Sequence, residues 1–226
     1  MFRVIAYTMD IDNAKTKEVS NYLENLKDKY TNKYLPEEIV KIPKLKETRD
    51  GYKKFGKDPS HTRPACEALL RRFVKGNGIY QLGDIIDLGN IVSVETMRSV
   101  CVVDADLIKG NINIRLGKEN EPYEAINRGS LNIYKLPVYE DSIGPFGTPT
   151  SDTLRTCVNN NTKTILIMII IANTTNAINT LIILGKVPKS VIIAKTIPVI
   201  VKIFSTFVVL HNSIIRFSKS FIICLP

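Results

Sequence analysis

The stretch GPFGTPTSD at 144–152 gathers Gly144, Gly147, Thr148, Thr150, Ser151 and Asp152 within nine residues. Glycines let backbone approach a ligand closely, and hydroxyls with a carboxylate supply hydrogen bonds around it. The same residues also suit a plain connection between strands, because Gly and Pro make turns that Thr, Ser and Asp cap. Asp152 and Arg155 are spaced for a local ion pair. Asp87 and Asn90 lie three apart, which places them on one helical face as either ligand contacts or loop braces. Asp104 after an apolar run braces a turn. Glu124 and Arg128, four apart, pair with each other or reach a ligand. His61 and Arg63 precede a helix start, where phosphate can sit. Arg71 and Arg72 with Lys75 form a basic cluster that suits RNA or a solvated face.

The elements that position these residues can be read from periodicity. An alternating start at 2–8 predicts a strand. Asp12 and Asn13 can cap a helix over 14–30, whose Val19, Tyr22, Leu23, Leu26 and Tyr30 share a face. Helical turns broken at Pro43 run on to Gly56. Ser60 or Thr62 can cap the next helix, with Pro64 in its first turn and Cys66, Leu69, Leu70, Phe73 and Val74 as its apolar stripe. A short helix follows over GDIIDLGNIVSVET. The pattern then turns to β: SVCVVD, NINIRLG with Ile112, Ile114 and Leu116 on one face, LNIYKLPVY, and the wholly apolar TKTILIMIIIA, a strand buried on both faces. The expected class is α/β (mixed α+β), a mixed sheet flanked by helices, ending near Ala172.

Net charge is +9, which suggests a polyanionic partner, but its distribution matters more than its size. All 22 acids lie at or before Asp152, whereas eight of the 31 Lys and Arg lie beyond it. The body is therefore nearly neutral. Cys66, Cys101, Cys157 and Cys224 form no CxxC, and His61 and His211 stand far from ligand spacing, so neither a metal site nor a cofactor is expected. The start does not read as a signal peptide, which makes a cytoplasmic location with reduced thiols the expectation.

Residues 173–226 are a different material: apolar and basic, without an acid, and punctuated by Gly185, Pro188 and Pro198. Lys195, Pro198 and Lys202 interrupt any window long enough for a stable membrane span. A membrane-seeking tail and a buried C-terminal element are two readings. A translated shifted reading frame, from AT-rich DNA read out of register, accounts best for the lost acids. The expected organisation is one domain over 1–172 and an atypical tail over 173–226.

The pieces PACEALLRR, IIDLGNIVS, VVDADLIKGNINIRLGKENEPYEAINRG, LPVY and GPFGTPTSD, in this order, resemble the B3/B4 tRNA-binding domain of the phenylalanyl-tRNA synthetase β subunit. The closer likeness is to short stand-alone proteins that carry this domain. The resemblance covers roughly 1–172 and implies the B3/B4-type fold. It also implies tRNA or aminoacyl-tRNA as partner and, in the synthetase, hydrolysis of mischarged tRNA esters. The family pocket uses a Thr-Asn pair, a His eleven residues on, a Gly in a Gly-rich turn and a Glu on the last strand. Here Asn90 and Gly147 match. Gly89 stands at the Thr position, Cys101 at the His, and Ile167 or Met168 near the Glu. Both ionisable groups are thus replaced.

An ester hydrolase needs oriented water and donors for the oxyanion. Asn90 and backbone N–H groups near Gly147 are candidate donors. Cys101 takes a proton only if its pKa is lowered, and otherwise behaves as a small hydrophobe. Two functions therefore stay open: an aminoacyl-tRNA ester hydrolase, and a non-catalytic RNA- or small-ligand-binding module that kept the pocket and lost the chemistry. A degraded gene product without activity is a third reading.

Overall fold

The computed structural model describes residues 2–11, 17–172 and 217–224 of the 226. Its centre is a four-stranded sheet in the order β2-β8-β1-β9, built from β1 (Phe2–Asp10), β2 (Val100–Asp104), β8 (Thr164–Ala172) and β9 (Phe217–Cys224). Every ladder in it is antiparallel. The two further sheets, β3-β6-β7 (Asn113–Leu116, Pro137–Glu140, Pro145–Gly147) and β4-β5 (Glu124–Ala125, Gly129–Ser130), are antiparallel as well. The mixed α/β class therefore holds. The expected mixed sheet is corrected to antiparallel pairing, and the described residues contain one isolated parallel bridge, Gly117 with Tyr134.

The apolar run in β8 has a simple cause. β8 is an inner strand, paired on both edges and covered on both faces. Ile165, Ile167 and Ile169 point into a core made with α1 (Lys17–Tyr30), α3 (Ala65–Val74) and α4 (Asp84–Thr96). Leu166, Met168, Ile170 and Ala172 point into a second core with β3, β6 and β7. Period-two alternation thus divides one strand between two cores. β2 is divided likewise: Val102 joins the helical side, Cys101 and Val103 the other.

α2 (Pro43–Lys54) opens at Pro43, where the missing N–H costs nothing, so Pro43 starts this helix and does not merely interrupt one. Neither Ser60 nor Thr62 caps α3. Its N-cap is Pro64, and the Ser60 hydroxyl bonds the Asp58 carboxylate at 2.6 Å instead. The proposed caps Asp12 and Asn13 lie outside the described residues. Of 173–226, the strand β9 alone is described; it lines the β1 edge with Arg3 opposite Cys224, so this piece of the tail belongs to the sheet. No helix among the described residues is long and apolar enough to cross a membrane.

Candidate functional site

The segment 144–152 is a closed turn in which Thr148 and Thr150 spend their hydroxyls on protein partners. The Thr148 hydroxyl donates to the Ser151 carbonyl at 2.9 Å and accepts from the N–H groups of Thr150 and Ser151. The Thr150 hydroxyl meets the Tyr52 hydroxyl at 3.3 Å, and both residues are buried. The Tyr123 hydroxyl donates to the Ser151 carbonyl at 2.7 Å, and the Ala65 N–H to that of Pro149 at 2.8 Å. Thr148, Thr150 and Ser151, expected around a ligand, therefore hold the turn and anchor it to α2, α3 and the Tyr123 segment. Gly144 takes φ +146°, a conformation that favours glycine, and its carbonyl accepts from Arg155 at 3.1 Å.

Gly147, Cys101 and Asp152 come together behind this turn. A Cβ at Gly147 would lie 2.9 Å from Asp152 Oδ1, 2.9 Å from the Tyr139 ring and 3.4 Å from Cys101 Sγ. Glycine is needed here so that protein atoms can pack. The Asp152 carboxyl is buried, and its Oδ1 has no hydrogen-bond partner. Burial raises its pKa to about 7, with the Cys101 thiol and the Thr148 N–H offsetting part of the rise. Burial, then the Asp152 charge, pushes the Cys101 thiol well above its ordinary value, so this cysteine is not an activated nucleophile. Burial raises the Tyr123 and Tyr139 phenols too. Met168 is opposite Cys101 in the sheet register and faces the same core, which leaves the family's Glu position apolar.

Gly89 and Asn90 sit on α4, and a Cβ at Gly89 would meet Val102 Cγ2 at 2.7 Å, on the helical face of β2 and not on the face that carries Cys101. Asp87 of the same helix accepts the Leu82 N–H at 3.0 Å, the bracing role. Asp104 accepts from the Asp106 N–H and the Thr162 hydroxyl, also as a brace. Arg155 does not pair with Asp152. It forms a two-point ion pair with Asp141, both contacts at 3.0 Å.

The expected RNA contacts divide into two groups. His61 and Arg63 project before α3, with side chains 88% and 52% exposed. Arg71 instead bonds Glu67 and the Pro36 carbonyl. Arg72 bonds the Gly78 carbonyl and lies 4.4 Å from the Tyr80 ring centre. Arg71 is drawn in by Glu67, a carboxylate with no exposed surface that takes Arg49 at 2.8 Å and Arg71 at 2.9 Å. Sequence reasoning did not single out Glu67, nor Tyr123 and Tyr139 around Asp152. An acid inside the apolar stripe of α3 was the available signal for the first. Beside the turn lies a cleft of about 490 Å³, lined in part by Tyr123 and Thr153. Among the described residues no cluster of His, Cys, Asp and Glu is arranged to hold a metal ion.

Comparison with known proteins is consistent in direction. A family model described as the B3/4 domain matches residues 47–184. The phenylalanine–tRNA ligase β subunit of Bartonella henselae is 36% identical over 69 residues, 30% of this chain and 9% of that protein. Its counterpart from Neisseria meningitidis serogroup A is 26% identical over 73 residues, 32% of this chain and 9% of that protein. Among solved structures, an N-terminal fragment of the phenylalanyl-tRNA synthetase β subunit from Pyrococcus horikoshii aligns with TM-score 0.41 and 13% identity, over 59% of this chain and 41% of that one. The matched region is thus less than a tenth of the length of these curated relatives.

Proposed function

The chain belongs to the B3/4 domain family, and on that premise we propose that it is a non-catalytic RNA-binding module directed at tRNA or aminoacyl-tRNA. The observation that carries this reading is the state of the family's pocket positions. Cys101 is a buried thiol with a raised pKa, and Met168 opposite it is apolar. The Thr148 and Thr150 hydroxyls are already engaged, the first with the Ser151 carbonyl and the second with the Tyr52 hydroxyl. Water activation at an ester carbonyl has no base at these positions, while a binding role needs none.

Exposed side chains such as Arg63, 4.0 Å from Glu67, and His61, 3.7 Å from Asp58, would make the phosphate contacts. The near-neutral body provides few of them, on the order of three to five, so binding is weak and falls steeply with salt. One observation favours the hydrolytic reading instead: the buried Asp152 carboxyl, whose pKa of about 7 suits a general base. A panel of mischarged tRNAs decides between the two. Salt-dependent retention of tRNA without deacylation supports the module. Deacylation that is lost in Asp152→Asn supports the hydrolase, and a binding signal flat in salt removes RNA as the ligand.

A further inference from the structure

The cleft beside the turn is built differently from the turn itself. Most of its wall is apolar, from Pro122, the Tyr123 ring, Pro145 and Leu154, with Asn127 and Thr153 as uncharged polar neighbours. Leu154 is 74% exposed, although it is a large aliphatic side chain on a short helical turn. The volume of about 490 Å³ falls within the range of small-molecule sites.

Two charged side chains reach the cleft, Glu124 and Arg155, and they are not equivalent. Both terminal nitrogens of Arg155 are held by Asp141, whose side chain has no exposed surface, and one also bonds the Gly144 carbonyl. Burial alone would raise the Asp141 pKa. Arg155 and the N–H groups of Lys109, Ile143 and Gly144 hold it at about 2, so this pair stays closed and neutral as a unit. Glu124 is exposed on β4 and forms no ion pair with the described residues. The uncompensated charge in the cleft is therefore a single carboxylate on an apolar wall.

We propose that this cleft binds a small organic cation: a primary amine carried on a flat or aliphatic apolar body. Glu124 takes the ammonium, and Pro122, Pro145 and Leu154 cover the body. A lone carboxylate supplies too few ligands for a divalent cation, and its charge repels an anion. The site stands apart from the tRNA reading, because neither Asp152 nor the exposed residues before α3 line it.

Calorimetric titration of the full chain with 3-phenylpropylamine, 3-phenylpropanol and 3-phenylpropionate tests the proposal. The three share one apolar body and differ in charge. The amine should bind about tenfold more tightly than the alcohol, and the carboxylate more weakly than either. Glu124→Gln should remove the amine's advantage while leaving the alcohol unchanged. Leu154→Ser should weaken amine and alcohol alike. Equal binding of amine and carboxylate, an amine advantage that survives in Glu124→Gln, or no binding by any of the three overturns it.

Discussion

Replacing Asp152 by Asn should change how stability depends on pH. In the folded chain the Asp152 carboxyl is buried with Oδ1 unpartnered, and its pKa stands near 7 against an ordinary value of 3.8. Because the folded value is raised, the folded state holds a proton that the unfolded state releases. The group's contribution is complete below about pH 4, declines by about 1.4 kcal/mol per pH unit, and is lost once pH passes about 7. Integrated over that window, the wild type loses about 4 kcal/mol from this carboxyl. The neighbouring Cys101, Cys157, Tyr123 and Tyr139 all have raised values and do not ionise in that window. An amide at 152 has no such dependence, though its own N–H groups carry a pH-independent cost. The readout is therefore the difference between variant and wild type, not either stability alone. Urea unfolding at pH 5 and pH 8 should show that difference shifting by about 3 kcal/mol in favour of Asp152→Asn at the higher pH. A difference constant to within about 0.5 kcal/mol would mean that Asp152 is ionised in the fold, and the reasoning from burial would be refuted.

Three further outcomes follow from the packing. Gly147→Ala forces a methyl against Asp152 Oδ1 and the Tyr139 ring, and should cost about 1–3 kcal/mol in denaturant unfolding. Gly129→Ala, where a Cβ meets nothing within 4 Å but φ is +67°, carries backbone strain without the steric clash and should cost less. Glu67→Ala strands Arg49 and Arg71 around a vacated buried site and should cost about 3–5 kcal/mol, measured the same way. In a Cys224→Ser background, native-state thiol labelling should modify the half-buried Cys157 well before Cys66 and Cys101, both fully covered with raised thiol values.

The elements were legible because their periods are strong. The stripe of α3, the alternation around Ile114 and the uninterrupted β8 run each have one packing solution, and the structure adopts it. The site was legible only in part. Gly147 and Asp152 share one nine-residue stretch, whereas Cys101 arrives from β2, and only the fold brings its sulfur within 3.4 Å of a Cβ at Gly147. Side-chain period along β2 puts the Gly89 contact at Val102 and the Gly147 contact at Cys101, on opposite faces. The role of Arg71 depended on Glu67, whose burial among arginines is a tertiary property that helical spacing does not reveal. Arg155 chose Asp141 over the nearer Asp152 because Asp141 already collects three backbone donors and stays ionised, whereas Asp152 is encased.

The position of β8 also bears on how the chain is made. Phe2 pairs with Ala172 and Asp10 with Thr164, so β1 waits for a partner that emerges more than 150 residues later. β2 waits for the same strand, since its ladder in this sheet is with β8. During translation the helices can coil locally, but neither core has its central wall until β8 leaves the ribosome. Such long-range closure makes folding slow and leaves the nascent β1 edge exposed meanwhile. A cell producing this protein should therefore show its demand for chaperones late in synthesis, and a ribosome stalled before residue 164 should hold a protease-sensitive chain.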